Sequence, residues 1–257
     1  RSSACGYWKV DLMKFSAYQR TEQAGRKENE DRMGYLYTPE AALFVVADGM
    51  GGHANGEIAA QIALETMTKA FQEQARPVIA EPREFLIKAL LQSHHEILQF
   101  SNVAGMDDSP RTTLVALLIQ NGEALWVHCG DSRLYWVRGD QLEKRTLDHS
   151  YAEQMPQGAN NSAEYLAKVA NRNVLFTCLG SPTKPIYDIS ASMSLKPGDK
   201  FLLCSDGLWG LIKEGEVTEA LAVTSVAKSV PRLIEMAMQR GGIYCDNVTC
   251  IGVEWQS

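Results

Sequence analysis

Short continuous apolar runs alternate along the chain with longer segments whose apolar residues recur every three to four positions. The runs are Leu43–Ala47, Thr113–Ile119, Ala124–Cys129, Leu134–Val137, Ile186–Met193, Phe201–Cys204 and Val248–Val253. Their length and content of Val, Ile, Phe and Trp predict β-strands. Asn121-Gly122 separates two of them and Gly139-Asp140 follows a third, so both positions read as hairpin turns. Pro197-Gly198-Asp199 marks a turn just before a strand. From Gly56 to Phe71, the residues Ile58, Ile62, Ala63, Met67, Ala70 and Phe71 share one face at helical spacing. Phe85, Ala89, Leu90, Ile97 and Leu98 predict a second helix beside it; a third is expected over Val217–Val223 and a fourth over Val230–Arg240. Hairpin-rich strands with helices clustered between them predict an α+β architecture, antiparallel sheets carrying helices on their outer faces. The segment from Tyr151 to Arg172 is polar and aperiodic and reads as a surface flap.

Composition narrows the picture. The chain has 257 residues, 45% hydrophobic and 22% charged, which is ordinary for a globular protein. Its net charge of −6 argues against a dedicated binder of nucleic acid or anionic membrane, because phosphates select Lys/Arg patches. No apolar stretch approaches the ~18 residues of a membrane span, and the first residues lack a signal-peptide core. Cys5, Cys129, Cys178, Cys204, Cys245 and Cys250 form no CxxC pair, so a structural zinc site is not expected and the thiols read as reduced, in a cytoplasmic protein. With no linker and no internal repeat, residues 1–257 read as one domain, its core at about 18–254.

The sharpest chemical feature is Phe44-Val-Val-Ala-Asp48-Gly49-Met50-Gly51-Gly52-His53, an apolar strand ending at an Asp, then a glycine-rich turn and a helix. A phosphate-cradling P-loop fails, because Glu57-Ile58 stand where Lys-Ser/Thr is required. A dinucleotide fingerprint through Gly49, Gly51 and Ala54 sets Asp48 against the pyrophosphate and lacks the second strand with its acidic end. Reading Asp48 as a ligand of a hard divalent cation predicts further carboxylates at strand ends. They are present: Ser205-Asp206-Gly207 after an apolar strand, Gly130-Asp131-Ser132 between two strands, Asp246-Asn247 before the last strand, and Glu30-Asp31 near the start. Any one of these alone reads as a turn residue; the set is harder to attribute to turns. A cysteine-phosphatase loop starting at His128-Cys129 is excluded, since Tyr135 replaces the needed Arg, and an Asp-x-Asp nucleophile is excluded by Met50.

The ordered set Arg26-x-x-Asn29-Glu30-Asp31, Asp48-Gly-Met-Gly-Gly-His53, Thr112-Thr113, Gly130-Asp131-Ser132-Arg133, Asp148-His149-Ser150, Ser205-Asp206-Gly207-Leu208-Trp209 and Asp246-Asn247-Val248-Thr249 resembles the metal-dependent type 2C protein serine/threonine phosphatases, in their bacterial form. The resemblance implies a four-layer αββα sandwich and two Mn²⁺ or Mg²⁺ ions at its edge. It implies that Asp48 bridges the ions, that the Gly49 carbonyl binds one, and that Asp206 and Asp246 complete the other. Asp131, with Asp206, would hold a third, weaker ion; Glu30 and Asp31 would act through metal-bound waters; Arg26 would clamp the substrate phosphate. The implied reaction is attack on a phosphoserine or phosphothreonine by a hydroxide bridging the ions, with no phosphoenzyme. Phosphoproteins and an opposing Ser/Thr kinase are the implied partners of a monomer, and nucleic acid and membrane are not. The rival reading is a catalytically silent regulatory module on the same fold. Two departures stand out: Met50 occupies the place of the proposed general-acid histidine of animal members, with His53 three residues on, and Pro110-Arg111 precedes Thr112 where relatives carry Gly.

Overall fold

The computed structural model describes residues 13–50, 55–151, 153 and 174–257. In chain order the elements are β1 (Phe15–Glu22), β2 (Arg32–Tyr37), β3 (Ala41–Ala47), α1 (Gly56–Gln74), α2 (Pro82–Ala104), β4 (Leu114–Gln120), β5 (Glu123–Cys129), β6 (Arg133–Arg138), β7 (Gln141–Arg145), β8 (Asp188–Ile189), β9 (Met193–Ser194), β10 (Lys200–Cys204), α3 (Asp206–Trp209), α4 (Glu214–Val223), α5 (Val226–Gly241), a 3₁₀ turn (Gly242–Tyr244) and β11 (Val248–Trp255). One sheet has the order β1-β11-β10-β6-β7 and the other β2-β3-β4-β5-β8, with β9 also on β5; every pairing is antiparallel.

The layers follow from alternation along the central strands. In β3, Ala41, Leu43, Val45 and Ala47 face α1 and α2, while Ala42, Phe44 and Val46 face the opposite sheet. Successive side chains point to opposite faces, so a strand covered on both sides reads as an unbroken apolar run. The middle layer joins Phe44, Leu117 and Trp126 of one sheet to Trp136, Phe201 and Ile251 of the other. Beyond the second sheet, Leu202, Cys204 and Cys250 pack on Leu208, Val217, Leu233 and Ile234 of α3, α4 and α5. The result is the αββα sandwich.

Several expectations shift in detail. Asn121 and Gly122 both adopt positive φ, the signature of a type I′ hairpin, and join β4 to β5 in register. The buried face of α1 is Gly56, Ala59, Ala60, Ala63, Met67 and Phe71; Ile58, Ile62 and Ala70 lie at its margin, because small residues allow the helix to approach the sheet closely. The fourth helix starts at Val226 rather than Val230, and Pro231 sits inside it. The Ile186–Met193 run forms only two-residue strands, because the Ser190 hydroxyl accepts the Trp126 N–H in place of a ladder carbonyl. Strands β1 and β2 have no counterpart among the apolar runs. Each lies at a sheet edge and is only partly buried, so its sequence is mixed. Of the flap, Tyr151 and Glu153 are described; the rest of it, and residues 51–54 with His53, fall outside the described residues. Among the described residues no helix is long and apolar enough to cross a membrane.

Candidate active site

The predicted acids meet at one edge of the sandwich, although they come from distant parts of the chain. Asp48 follows the end of β3, Asp131 lies in the turn from β5 to β6, Asp206 begins α3 straight after β10, and Asp246 precedes β11. They line a cleft of about 810 Å³ together with Arg26, Lys27, Glu30, Gly49, Met50, Thr113, Leu175 and Asn247. Asp31 sits just beneath, 4% exposed, and accepts a hydrogen bond from the Ser205 hydroxyl at 2.8 Å. Asp48, Asp131, Asp206 and Asp246 each follow or precede an interior strand, so the sheet fixes the Cα while the side chain is freed where the ladder stops.

Main-chain contacts hold these positions. The Thr113 N–H and the Thr112 hydroxyl both donate to the Asp48 carbonyl at 2.9 Å, and the Asp48 N–H donates to the Thr113 hydroxyl at 3.1 Å. The Asn247 side chain accepts from the Glu30 N–H at 2.9 Å and donates to the carbonyls of Gln23 and Glu28 at 2.9 Å, which ties the Arg26 loop to β11. The glycines after Asp48 and Asp206 answer to space. A Cβ on Gly207 would stand 2.0 Å from the Asn247 carbonyl oxygen, and one on Gly49 would stand 2.5 Å from the Gly56 backbone and 2.7 Å from the Glu30 carbonyl.

The electrostatics are those of crowded acids. Burial first, then repulsion from Asp31, Asp206, Asp131 and Asp246, pushes the Asp48 carboxyl well above the ordinary range. Asp131 moves the same way through burial and the nearby Asp206. Asp206 rises to about 7 through burial and then Asp246. Asp31 rises to about 6 through burial, opposed by hydrogen bonds from Thr249 and Ser205. Burial also raises Glu30, with Glu57 adding to it. The Arg26 guanidinium donates to Asp246 at the mouth of the cleft and is itself held charged by that bond. Carboxylates this close take up protons or cations. An all-oxygen donor set of this kind, with the Gly49 carbonyl beside it, fits hard divalent ions such as Mn²⁺ or Mg²⁺.

Among the described residues, the five thiols are all buried and none lines the cleft. Burial drives Cys129 up to about 12, so it stays protonated near neutral pH. His94, His128 and His149 are tied into the fold, while His95 is exposed on α2. His94 accepts the Gly180 N–H at 3.2 Å, and His149 accepts the Gly130 N–H at 3.1 Å. His128, His149 and Asp188 bring ligand atoms within 4.8 Å of one another. Yet the two imidazoles stack face to face, centroids 4.6 Å apart at 12°. No ion can lie in the plane of both rings, so the group braces the base of the 148–151 segment. Thr112, Thr113, Ser132, Ser205 and Asn247 were legible as motif residues without a role; Thr112, Thr113 and Asn247 fix main-chain atoms of Asp48 and Glu30, Ser205 holds the Asp31 carboxylate, and Ser132 braces the Thr113 hydroxyl, all of which only the fold displays.

The family model for protein phosphatase 2C matches residues 20–240. A serine/threonine phosphatase, stp, from Listeria innocua is 30% identical over 232 residues, covering 89% of this chain and 91% of that protein. The Mycobacterium tuberculosis serine/threonine phosphatase PstP/Ppp superposes with a TM-score of 0.78 at 28% identity, covering 95% of this chain and 99% of that one. A structure of the PstP catalytic domain with two manganese ions gives a TM-score of 0.77 at 27% identity, with 95% and 99% covered.

Proposed function

The chain belongs to the protein phosphatase 2C family, and from that premise we propose that it removes phosphate from phosphoserine and phosphothreonine in proteins, with two Mn²⁺ or Mg²⁺ ions held by its acidic cleft. The observation that carries this is the convergence of Asp48, Asp131, Asp206 and Asp246 around one cleft with Arg26 at its mouth. Asp48 would be shared by both ions, with the Gly49 carbonyl, Asp206 and Asp246 completing the set, and Asp131 with Asp206 would take a third. Bound ions of this kind lower the pKa of coordinated water toward neutrality and supply the nucleophile.

The protein's own residues do the rest. The Ser205 hydroxyl, itself held by the Thr249 N–H, donates to the Asp31 carboxylate beneath the cleft, and Asn247 holds the Glu30 main chain at the cleft wall, where the Glu30 carboxylate could accept ordered water. Arg26 is half exposed and beside the acids, so its fork can meet two oxygens of an incoming phosphoryl group and offset charge on it. The cleft is open enough for a peptide-borne phosphate, and among the described residues no thiol lines it. Its substrates would be products of a Ser/Thr kinase in the cytoplasm. A silent regulatory module is the weaker reading, because the acidic set is complete.

The test is hydrolysis of phosphoserine, phosphothreonine and phosphotyrosine peptides after chelation and metal add-back. Activity on the first two should vanish with chelator and return with Mn²⁺ or Mg²⁺. Full activity in chelator would rule out the proposed chemistry.

A further inference from the structure

We propose that Trp209, Arg133 and Asp148 form a clamp that positions Asp131 against Asp206 and keeps the Arg133 guanidinium from pairing directly with either. The inference rests on the acidic cleft being the ion site. Arg133 lies two residues from Asp131, where a cation would ordinarily pair with it. Its guanidinium instead turns away and forms a two-pronged ion pair with Asp148, at 2.8 and 2.6 Å, and donates to the Tyr135 hydroxyl at 3.1 Å. Asp148 is 4% exposed at its side chain, and Arg145 stands 3.7 Å from it on the other side. Arg145 is itself forked to Glu214 and Glu153, both at 2.9 Å.

The same guanidinium lies 3.7 Å over the Trp209 ring, which fixes the indole by cation–π contact. The indole N–H then donates to the Asp131 carbonyl at 2.9 Å. Trp209 sits on α3, whose first residue is Asp206. This one bond therefore ties the carrier of Asp206 to the carrier of Asp131. Two like-charged carboxylates repel, and a tie between them has to come from a group that leaves their oxygens free. The Asp131 main-chain carbonyl meets that need, since the carboxylate oxygens remain available to a cation. Partners one step out from a metal ligand orient it in this way, and their loss typically weakens metal binding about 10–100-fold.

The test measures Mn²⁺ uptake by the full chain in titration calorimetry, without substrate, for the parent, Trp209→Phe and Asp148→Asn. Trp209→Phe keeps an aromatic ring at this position and removes the N–H together with the rest of the indole's five-membered ring. The weakest resolved Mn²⁺ site should lose about tenfold in affinity, and the Mn²⁺ concentration for half-maximal phosphopeptide hydrolysis should rise in parallel, with kcat at saturating Mn²⁺ largely kept. Asp148→Asn should do the same by releasing Arg133 toward Asp131, and it serves as the readout if Trp209→Phe does not fold. Variants that bind Mn²⁺ as the parent does, with only a lowered unfolding midpoint, would make the clamp merely structural and overturn the inference alone. A parent that takes up no Mn²⁺ would overturn the ion-site reading and the inference together.

Discussion

At the scale of single residues, the cleft trades stability for charge. Asp206 is buried beside Asp246 and Asp31, and its carboxyl is raised to about 7 for that reason. Asp206→Asn should abolish phosphopeptide hydrolysis, since it removes an anionic ligand. In chelator the same variant should melt at or above the parent's temperature, because a repulsive charge is gone. A variant that unfolds in chelator would show that Asp206 serves packing instead. Cys129 gives the opposite case. With its thiol at about 12 and its sulfur 3.7 Å from the Thr177 hydroxyl, it is a packing residue. Cys129→Ser should keep at least half of the parent kcat in the same peptide assay; complete loss in a folded variant would revive a thiol mechanism. Asp48 and Asp206 were visible in the sequence as an apolar strand followed by Asp-Gly, and Asp131 and Asp246 as acids in the turn between two strands and just before the last strand. The clamp around Asp131 was not, because Arg133, Asp148 and Trp209 meet through three separate segments and share no spacing.

At the scale of elements, what is delicate is the junction of β10, α3 and β11. Gly207 faces the Asn247 carbonyl so closely that any Cβ forces the two segments apart. Gly207→Ala should cost about 1–3 kcal/mol of stability, the usual penalty of overpacking. It should cost activity more heavily, since Asp206 and Asp246 ride on the displaced pieces. Urea midpoints and peptide hydrolysis measured together check this, and a variant with unchanged activity would show that the junction can yield. The helices and central strands were legible because each buries a continuous stripe or run. The edge strands β1 and β2 were not, because half-exposed positions carry no period strong enough to see. Yet β1 pairs with β11 over its whole length, Phe15 with Trp255 through Glu22 with Val248, and so carries the chain toward Arg26.

For the whole molecule, pH acts through groups buried in one charge state. Burial holds the His128 imidazole down at about 4, against an ordinary value near 6.5. Between those values the unfolded chain binds a proton that the native chain refuses, so this group makes stability rise with pH from about 4 to 6.5 and level off above. Replacing it, as in His128→Gln, should reduce the slope of unfolding free energy over that window by up to one proton, about 1.4 kcal/mol per pH unit. Denaturant titrations at pH 4.5, 5.5 and 6.5 in parent and variant measure it; identical slopes would mean that His128 titrates freely in the native state. The net charge of −6 also takes on a location, since Asp48, Asp131, Asp206 and Asp246 concentrate part of it in one cleft.

The chain by itself determined the layers and the identity of the acids. A strand buried on both faces must be apolar throughout, a packed helix must repeat near 3.6, and a set of acids at the ends of such runs is harder to attribute to turns than any one alone. Tertiary structure alone decided which acids share a wall, which cation faces them and which is turned away. Those depend on register between strands and on helices far apart in sequence, where an Arg two residues from an Asp can be claimed by a third residue. Local pattern records what a residue must bury, whereas its partners are set only when the sheets close on each other.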